Sequence, residues 1–120
     1  MLSLVIPFTT DGAGAFSATL GKPADPLLLY SVHIAGANLG SGATVLIQQA
    51  NTLAGFTRTI LNLASGANVN AVYPPRVAET NTSGVAAATT TMMVLDGDVA
   101  VTIASGGANK TGTIVLHLLG

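Results

Sequence analysis

The chain has 120 residues, 49% of them hydrophobic and 8% charged, with a formal net charge of −1 and no cysteine. One domain fits that length, and so few ions cannot cover the surface of a free monomer, so the surface is either Ser/Thr/Asn/Gly-rich or covered by partners. A near-neutral chain lacks the basic stripe that meets phosphate, which argues against nucleic acid; the missing thiols exclude disulfides and thiolate metal sites, and no apolar run is long enough for a membrane helix.

In chain order, Leu2–Phe8 reads as a strand, with Leu2, Leu4, Ile6 and Phe8 on one face and Val5 on the other. Its start has no basic segment and its apolar run is too short for a signal peptide. Asp11-Gly12 is a strong turn signal, and Gly14–Leu20 aligns Phe16, Ala18 and Leu20, so an N-terminal hairpin is expected. The prolines of 21–26 break the chain. Leu27–Ala35 is the next strand, and its first half is apolar on both faces, as in a central strand or one at a subunit contact.

Thr44–Ala50 and Phe56–Leu63 follow as strands around the turn 51–55, and Val69–Tyr73 is a short extended piece that stops at Pro74-Pro75. Arg76–Ala88 has little apolar content and no helical period, so an exposed loop is expected; Thr89–Leu95 is extended again. Asp98–Ala104 and Thr111–Leu119 each place large apolar residues at every second position: Val99, Val101 and Ile103, then Ile114, Leu116 and Leu118. With the Gly/Asn-rich connection 105–110 between them they read as a C-terminal hairpin that anchors a sheet. Eight or nine short strands with turn signals between them predict an all-β chain, a single antiparallel β-sandwich over residues 1–120.

Catalytic chemistry is scarce. His33 and His117 lie mid-strand opposite the main apolar stripe, and no carboxylate lies within five residues of either. Were their strands neighbours they would form half of a metal site; the plainer reading is two partly exposed strand histidines. Asp96-Gly97-Asp98 lacks the later ligands of a calcium loop. The fold could bring Asp25 and Glu79 together as a glycosidase pair, but nothing in the sequence favours it, and no Gly-x-Ser-x-Gly elbow is present. Gly106-Gly107 sits between strands, not before a helix, so it is no phosphate cradle. The expectation is a protein that is not an enzyme and has no cofactor or metal.

Three segments together resemble a group of small head proteins of tailed bacteriophages, regarded as capsid decoration, cement or head-fibre proteins. They are residues 8–14 (Phe-Thr-Thr-Asp-Gly-Ala-Gly), 72–77 (Val-Tyr-Pro-Pro-Arg-Val) and 99–115, with Ala-Ser-Gly-Gly-Ala-Asn-Lys-Thr-Gly-Thr at 104–113. The resemblance implies a sandwich of jelly-roll type, made in the host cytoplasm and attached to the outer surface of the virion capsid. Its partners would be the major capsid protein and itself, as a homotrimer at three-fold sites first and a dimer next.

Within that expectation Tyr73, Pro74, Pro75 and Arg76 are candidates for capsid contact: Tyr and Arg anchor interfaces, and prolines pre-order the backbone. The same residues have a structural alternative, in which Tyr73 plugs the end of the sandwich and Arg76 is solvated. Leu27, Leu29 and the outer face of the last strand (Val115, His117 and Leu119) are candidates for self-association. The rival function is a carbohydrate-binding or host-adhesion module displayed on the virion, against which the absence of Trp counts.

Overall fold

The computed structural model describes residues 2–51, 56–80, 83–84 and 86–120. Among these the chain is all β, with ten strands and no helix. The strands are β1 (Leu2–Thr9), β2 (Phe16–Leu20), β3 (Leu27–Ala35), β4 (Thr44–Asn51), β5 (Phe56–Leu63), β6 (Asn70–Tyr73), β7 (Arg76–Thr80), β8 (Ala86–Leu95), β9 (Asp98–Ala104) and β10 (Thr111–Leu119). They form two antiparallel sheets, a six-stranded one in the order β1-β10-β3-β8-β7 with β6 also on β3, and a four-stranded one in the order β2-β9-β4-β5. The expected β-sandwich is present.

Both expected terminal hairpins are absent. β1 pairs with β10 and β2 with β9, so the first two strands lie in different sheets. β9 likewise pairs with β2 and β4, while β10 pairs with β1 and β3. The buried residues Val99, Val101 and Ile103 of β9 therefore oppose Ile114, Leu116 and Leu118 of β10 across the core rather than beside them. Alternation specifies that a strand has one buried face, and that holds equally for a neighbour in the same sheet and for a strand facing it. Sheets stack about 10 Å apart, a gap that a six-residue connection spans easily.

The segment expected as an exposed loop, Arg76–Ala88, instead carries β7 and the start of β8, which pair antiparallel from Arg76↔Met92 to Thr80↔Ala86. Threonine and small residues are enough for a two-stranded ladder, and they carry no apolar period to announce it. That ladder and the short β6 bring the total to ten strands rather than eight or nine.

The core is a single cluster between the sheets. Leu29, Val32, Ile34, Val45, Ile47, Val101, Ile103, Ile114, Leu116 and Leu118 have no solvent exposure. Thr10, Ser31 and Gln49 are the polar side chains buried with it among the described residues, and two of them tie segments distant in sequence. Gln49 of β4 donates from Nε2 to the Val94 carbonyl at 2.9 Å and accepts from the Asp96 N–H at 3.1 Å, bolting one sheet to the other. At another connection between the sheets, Thr10 donates from Oγ1 to the Gly107 carbonyl at 2.6 Å and accepts from the Lys110 N–H at 2.7 Å.

Candidate interaction surface

The outward face of the six-stranded sheet is where the chain departs from an ordinary soluble surface. The pairing register places Val5, Val115, His33 and Val72 side by side across β1, β10, β3 and β6. A second row runs Leu119, Leu28 and Val94 across β10, β3 and β8. Between the rows lie Ser3, His117 and Tyr30. Among the residues whose side chains are described, the large hydrophobics with the greatest exposure, from 40% at Leu28 to 58% at Val72, fall on this face except for Leu2.

The other sheet shows how the same chain builds a face for water. Its outward positions include Ser17 and Thr19 of β2, Thr102 of β9, and Thr44 and Gln48 of β4. Hydroxyl and amide groups, with the Asp98 carboxylate at one end, keep that face wet. On the first sheet such groups lie mostly beyond the two rows, as in the register Pro7, Thr113, Ala35 and Asn70, while within the rows apolar side chains predominate, and contiguous exposed apolar patches mark interaction sites.

The candidates for self-association divide. Val115, His117 and Leu119 are half-buried on this outward face, as expected. Leu29 is not available: it is 0% exposed and belongs to the core, and Leu27 is half-buried against the same core. The reason is a bulge in β3. His117 pairs with Ser31 but Leu118 pairs with Leu29, so Tyr30 is an extra residue. Counting back by twos from Ile34 and Val32 points Leu28 and Tyr30 inward; one inserted residue reverses the phase and points them out. Sequence reasoning therefore missed Leu28 and Tyr30 as surface residues.

The candidates for capsid contact sit at the fork beside that bulge, where β3 changes partner from β8 to β6. Tyr73 packs on the core and donates its hydroxyl to the Asn68 carbonyl, and Pro75 is buried. Pro74 and Arg76 are exposed. Arg76 donates from Nη1 to the Tyr30 carbonyl at 3.0 Å and to the Pro75 carbonyl at 2.7 Å, and its guanidinium lies 6.0 Å from the Tyr30 ring centroid. A bulge leaves its extra residue outside the ladder, and Arg76 supplies the partner that the Tyr30 carbonyl would lack. Arg76 is thus more than a solvated cation.

The histidine strands β3 and β10 are neighbours, and His33 and His117 are diagonal on the shared face, His33 opposite Val115 and His117 opposite Ser31. The His117 Nδ1 is 3.2 Å from the Ser3 hydroxyl. Among the described residues no three metal-ligating side chains come together. Asp25 lies in the exposed loop 21–26, and the side chain of Glu79 is outside the described residues. Asp98 accepts from the Lys22 N–H at 2.9 Å.

Two of the segments that carry the phage resemblance, 8–14 and 104–113, meet at one corner. Besides the Thr10 bonds, the Thr10 N–H donates to the Lys110 carbonyl at 2.8 Å, Asn109 N–H to Asp11 at 3.2 Å, and Gly106 N–H to Gly14 at 2.9 Å. Asp11 Oδ1 accepts from the N–H groups of Ala13 at 2.8 Å and Ala15 at 3.0 Å. The bonds to Ala15 and then Ala13, with a lesser one from Gly14, hold its carboxyl below the ordinary aspartate value against a small opposing effect of burial. These motifs close the fold at the point where both terminal pairs of strands cross between sheets.

No protein-family profile and no curated protein matches the chain. Some solved structures align with it over most of its length. PirA is 19% identical with a TM-score of 0.49, over 94% of this chain and 93% of that one. The Drosophila NLP core, described in terms of pentamer formation and histone binding, is 11% identical with a TM-score of 0.44, over 98% and 99%. A carbohydrate-binding module specific for non-crystalline cellulose, CBM28, is 9% identical with a TM-score of 0.37, over 98% and 74%.

Proposed function

We propose that this chain is a non-catalytic virion structural protein, a decoration or cement protein bound to the outer surface of a phage head at junctions of the major capsid protein. The observation that carries the reading is the apolar outward face of the six-stranded sheet on a chain with only 8% charged residues. Left bare, such a face promotes aggregation; covered in an assembly, it stabilises the shell by about 25 cal/mol per Å² of apolar surface removed from water. The fold belongs to the same reading as a jelly roll, supported by strands that alternate between sheets from β1 to β4 and by the pairing of β1 with β10.

Copies associate with each other through the sheet face, and the exposed Pro74 and Arg76 touch the capsid. A sugar-binding role has less support: among residues whose side chains are described, Tyr30 is the one well-exposed aromatic ring, whereas sugar sites are built on aromatic platforms. The test is to add purified protein to heads assembled without it and to measure occupancy and the temperature of genome release. Saturable binding with a raised release temperature is expected. Heads that take up none, or gain no heat resistance, refute the function.

A further inference from the structure

We propose that the β1 edge of the six-stranded sheet pairs with the same edge of a second copy, antiparallel about a two-fold axis, so that the two sheets run on as one. This contact is separate from the sheet face, and it does not depend on the decoration reading.

Among the outer strands β1 is the one suited to pair. It ends the order β1-β10-β3-β8-β7, and among the described residues its ladder is with β10 alone. Open edges invite pairing, and proteins blunt them with charge, bulges or short length. β2 has five residues and β6 four. β5 carries Arg58, and its ladder with β4 shifts register between Ile47 and Gln48. β7 carries Arg76 and Glu79, and its ladder shifts between Ala78 and Thr80. β1 has eight residues, none of them charged, and an unbroken register from Leu2↔Leu118 to Thr9↔Thr111. Its one blunting residue is Pro7.

Parity decides which groups that edge offers. The Thr10 N–H donates to the Lys110 carbonyl, which is the next pair of the same register. Bonded and non-bonded pairs alternate along an antiparallel ladder, so Leu4, Ile6 and Phe8 bond to β10. Ser3, Val5, Pro7 and Thr9 turn their main-chain groups to the open side. Pro7 lies in that phase, and its missing N–H takes nothing from β10.

About an axis at Ile6 the edge satisfies itself. The Ser3 N–H and carbonyl meet the carbonyl and N–H of the partner's Thr9, and the Val5 N–H meets the carbonyl of the partner's Pro7. The axis repeats each bond. Within Leu2–Thr9 a shift by one pair either way drops the Ser3–Thr9 bonds and sets Pro7 against Ser3 or against a second proline, so fewer bonds form. Side chains agree with this register. On the core side Phe8 comes beside the partner's Leu4, which is half-buried in the single chain; on the outward side Val5, 56% exposed, comes beside the partner's Pro7. Strand addition draws its affinity from main-chain bonds and covers less area than a standard interface. The pair is therefore a weak one that fills as concentration rises.

The experiment is residue-by-residue amide hydrogen exchange of the full chain from about 10 μM to about 1 mM, the range over which a weak contact fills. Leu4, Ile6 and Phe8 are expected to be protected at every concentration. Ser3, Val5 and Thr9 exchange fast when dilute and severalfold more slowly when concentrated. Val5→Pro removes an edge donor without touching a bond to β10; it abolishes the slowing at Ser3 and Thr9 and leaves Leu4, Ile6 and Phe8 protected. Ser3→Pro does the same at Val5 and Thr9, and serves if Val5→Pro does not fold. Val72→Asp, on the sheet face at β6, leaves the slowing intact. Exchange at Ser3, Val5 and Thr9 that ignores concentration overturns the proposal. Slowing that survives both prolines, or that Val72→Asp abolishes, overturns it too. Heads that take up no protein remove the function and leave the pairing standing.

Discussion

Thr10 and Lys110 lie 100 residues apart and are joined through both of their backbone N–H groups, the Lys110 N–H donating to the Thr10 hydroxyl at 2.7 Å and the Thr10 N–H to the Lys110 carbonyl at 2.8 Å. Thr10 is 1% exposed, so no water stands ready to replace its side chain. Thr10→Val keeps the shape and removes the hydroxyl, leaving Gly107 and Lys110 each without a partner. A loss of about 1–3 kcal/mol is expected in denaturant unfolding, with little change in the slope. A loss near zero would mean that the corner does not hold the two sheets.

Gln49 makes the corresponding prediction for the link between β4 and the end of β8. Gln49→Ala strips the Val94 carbonyl and the Asp96 N–H of their partners and leaves a cavity beside the core. The expected loss is about 2–4 kcal/mol, read as a lower midpoint of chemical unfolding. Gln49→Leu fills the space but still leaves both backbone groups unpaired, so it should recover only part of that loss.

Gly14 has φ of +81°, and a Cβ there would lie 2.7 Å from the Gly107 nitrogen. Gly14→Ala therefore meets both backbone strain and a contact with backbone that has nowhere to go. A loss of at least about 1 kcal/mol is expected, and Gly12→Ala, with open space around it, is the control that should cost less.

Asp11 gives a pH dependence of definite sign. Its carboxyl is held below the ordinary aspartate value chiefly by the N–H of Ala15 and then Ala13. Its contribution is present above the unfolded value and is lost as pH falls through the lower folded one. The melting-temperature gap between the natural chain and Asp11→Ala should be constant near neutrality and shrink below about pH 4. A gap that widens with acid would contradict the assignment.

Most strands are legible in the sequence because each has one buried face, and the period of two in β9 and β10 marks it plainly. What those strands pair with is not legible: Val101 and Leu116 face each other across the core with the same alternation they would have side by side. Leu29 shows a second limit. Its inward position depends on one inserted residue, Tyr30, and no local pattern marks a bulge whose carbonyl is satisfied by Arg76, 46 residues on. The outward face became visible only once β1, β10, β3 and β6 were in register, since Val5, Val115 and Val72 are unremarkable one at a time.

Density for an assembled head is the most direct measurement of the central claim. The account predicts this chain on the outside of the shell at junctions between capsid subunits, with Val5, Val72 and Val115 hidden from solvent. Finding it absent from the particle, lining the interior, or outside with that sheet face bare to water would contradict it.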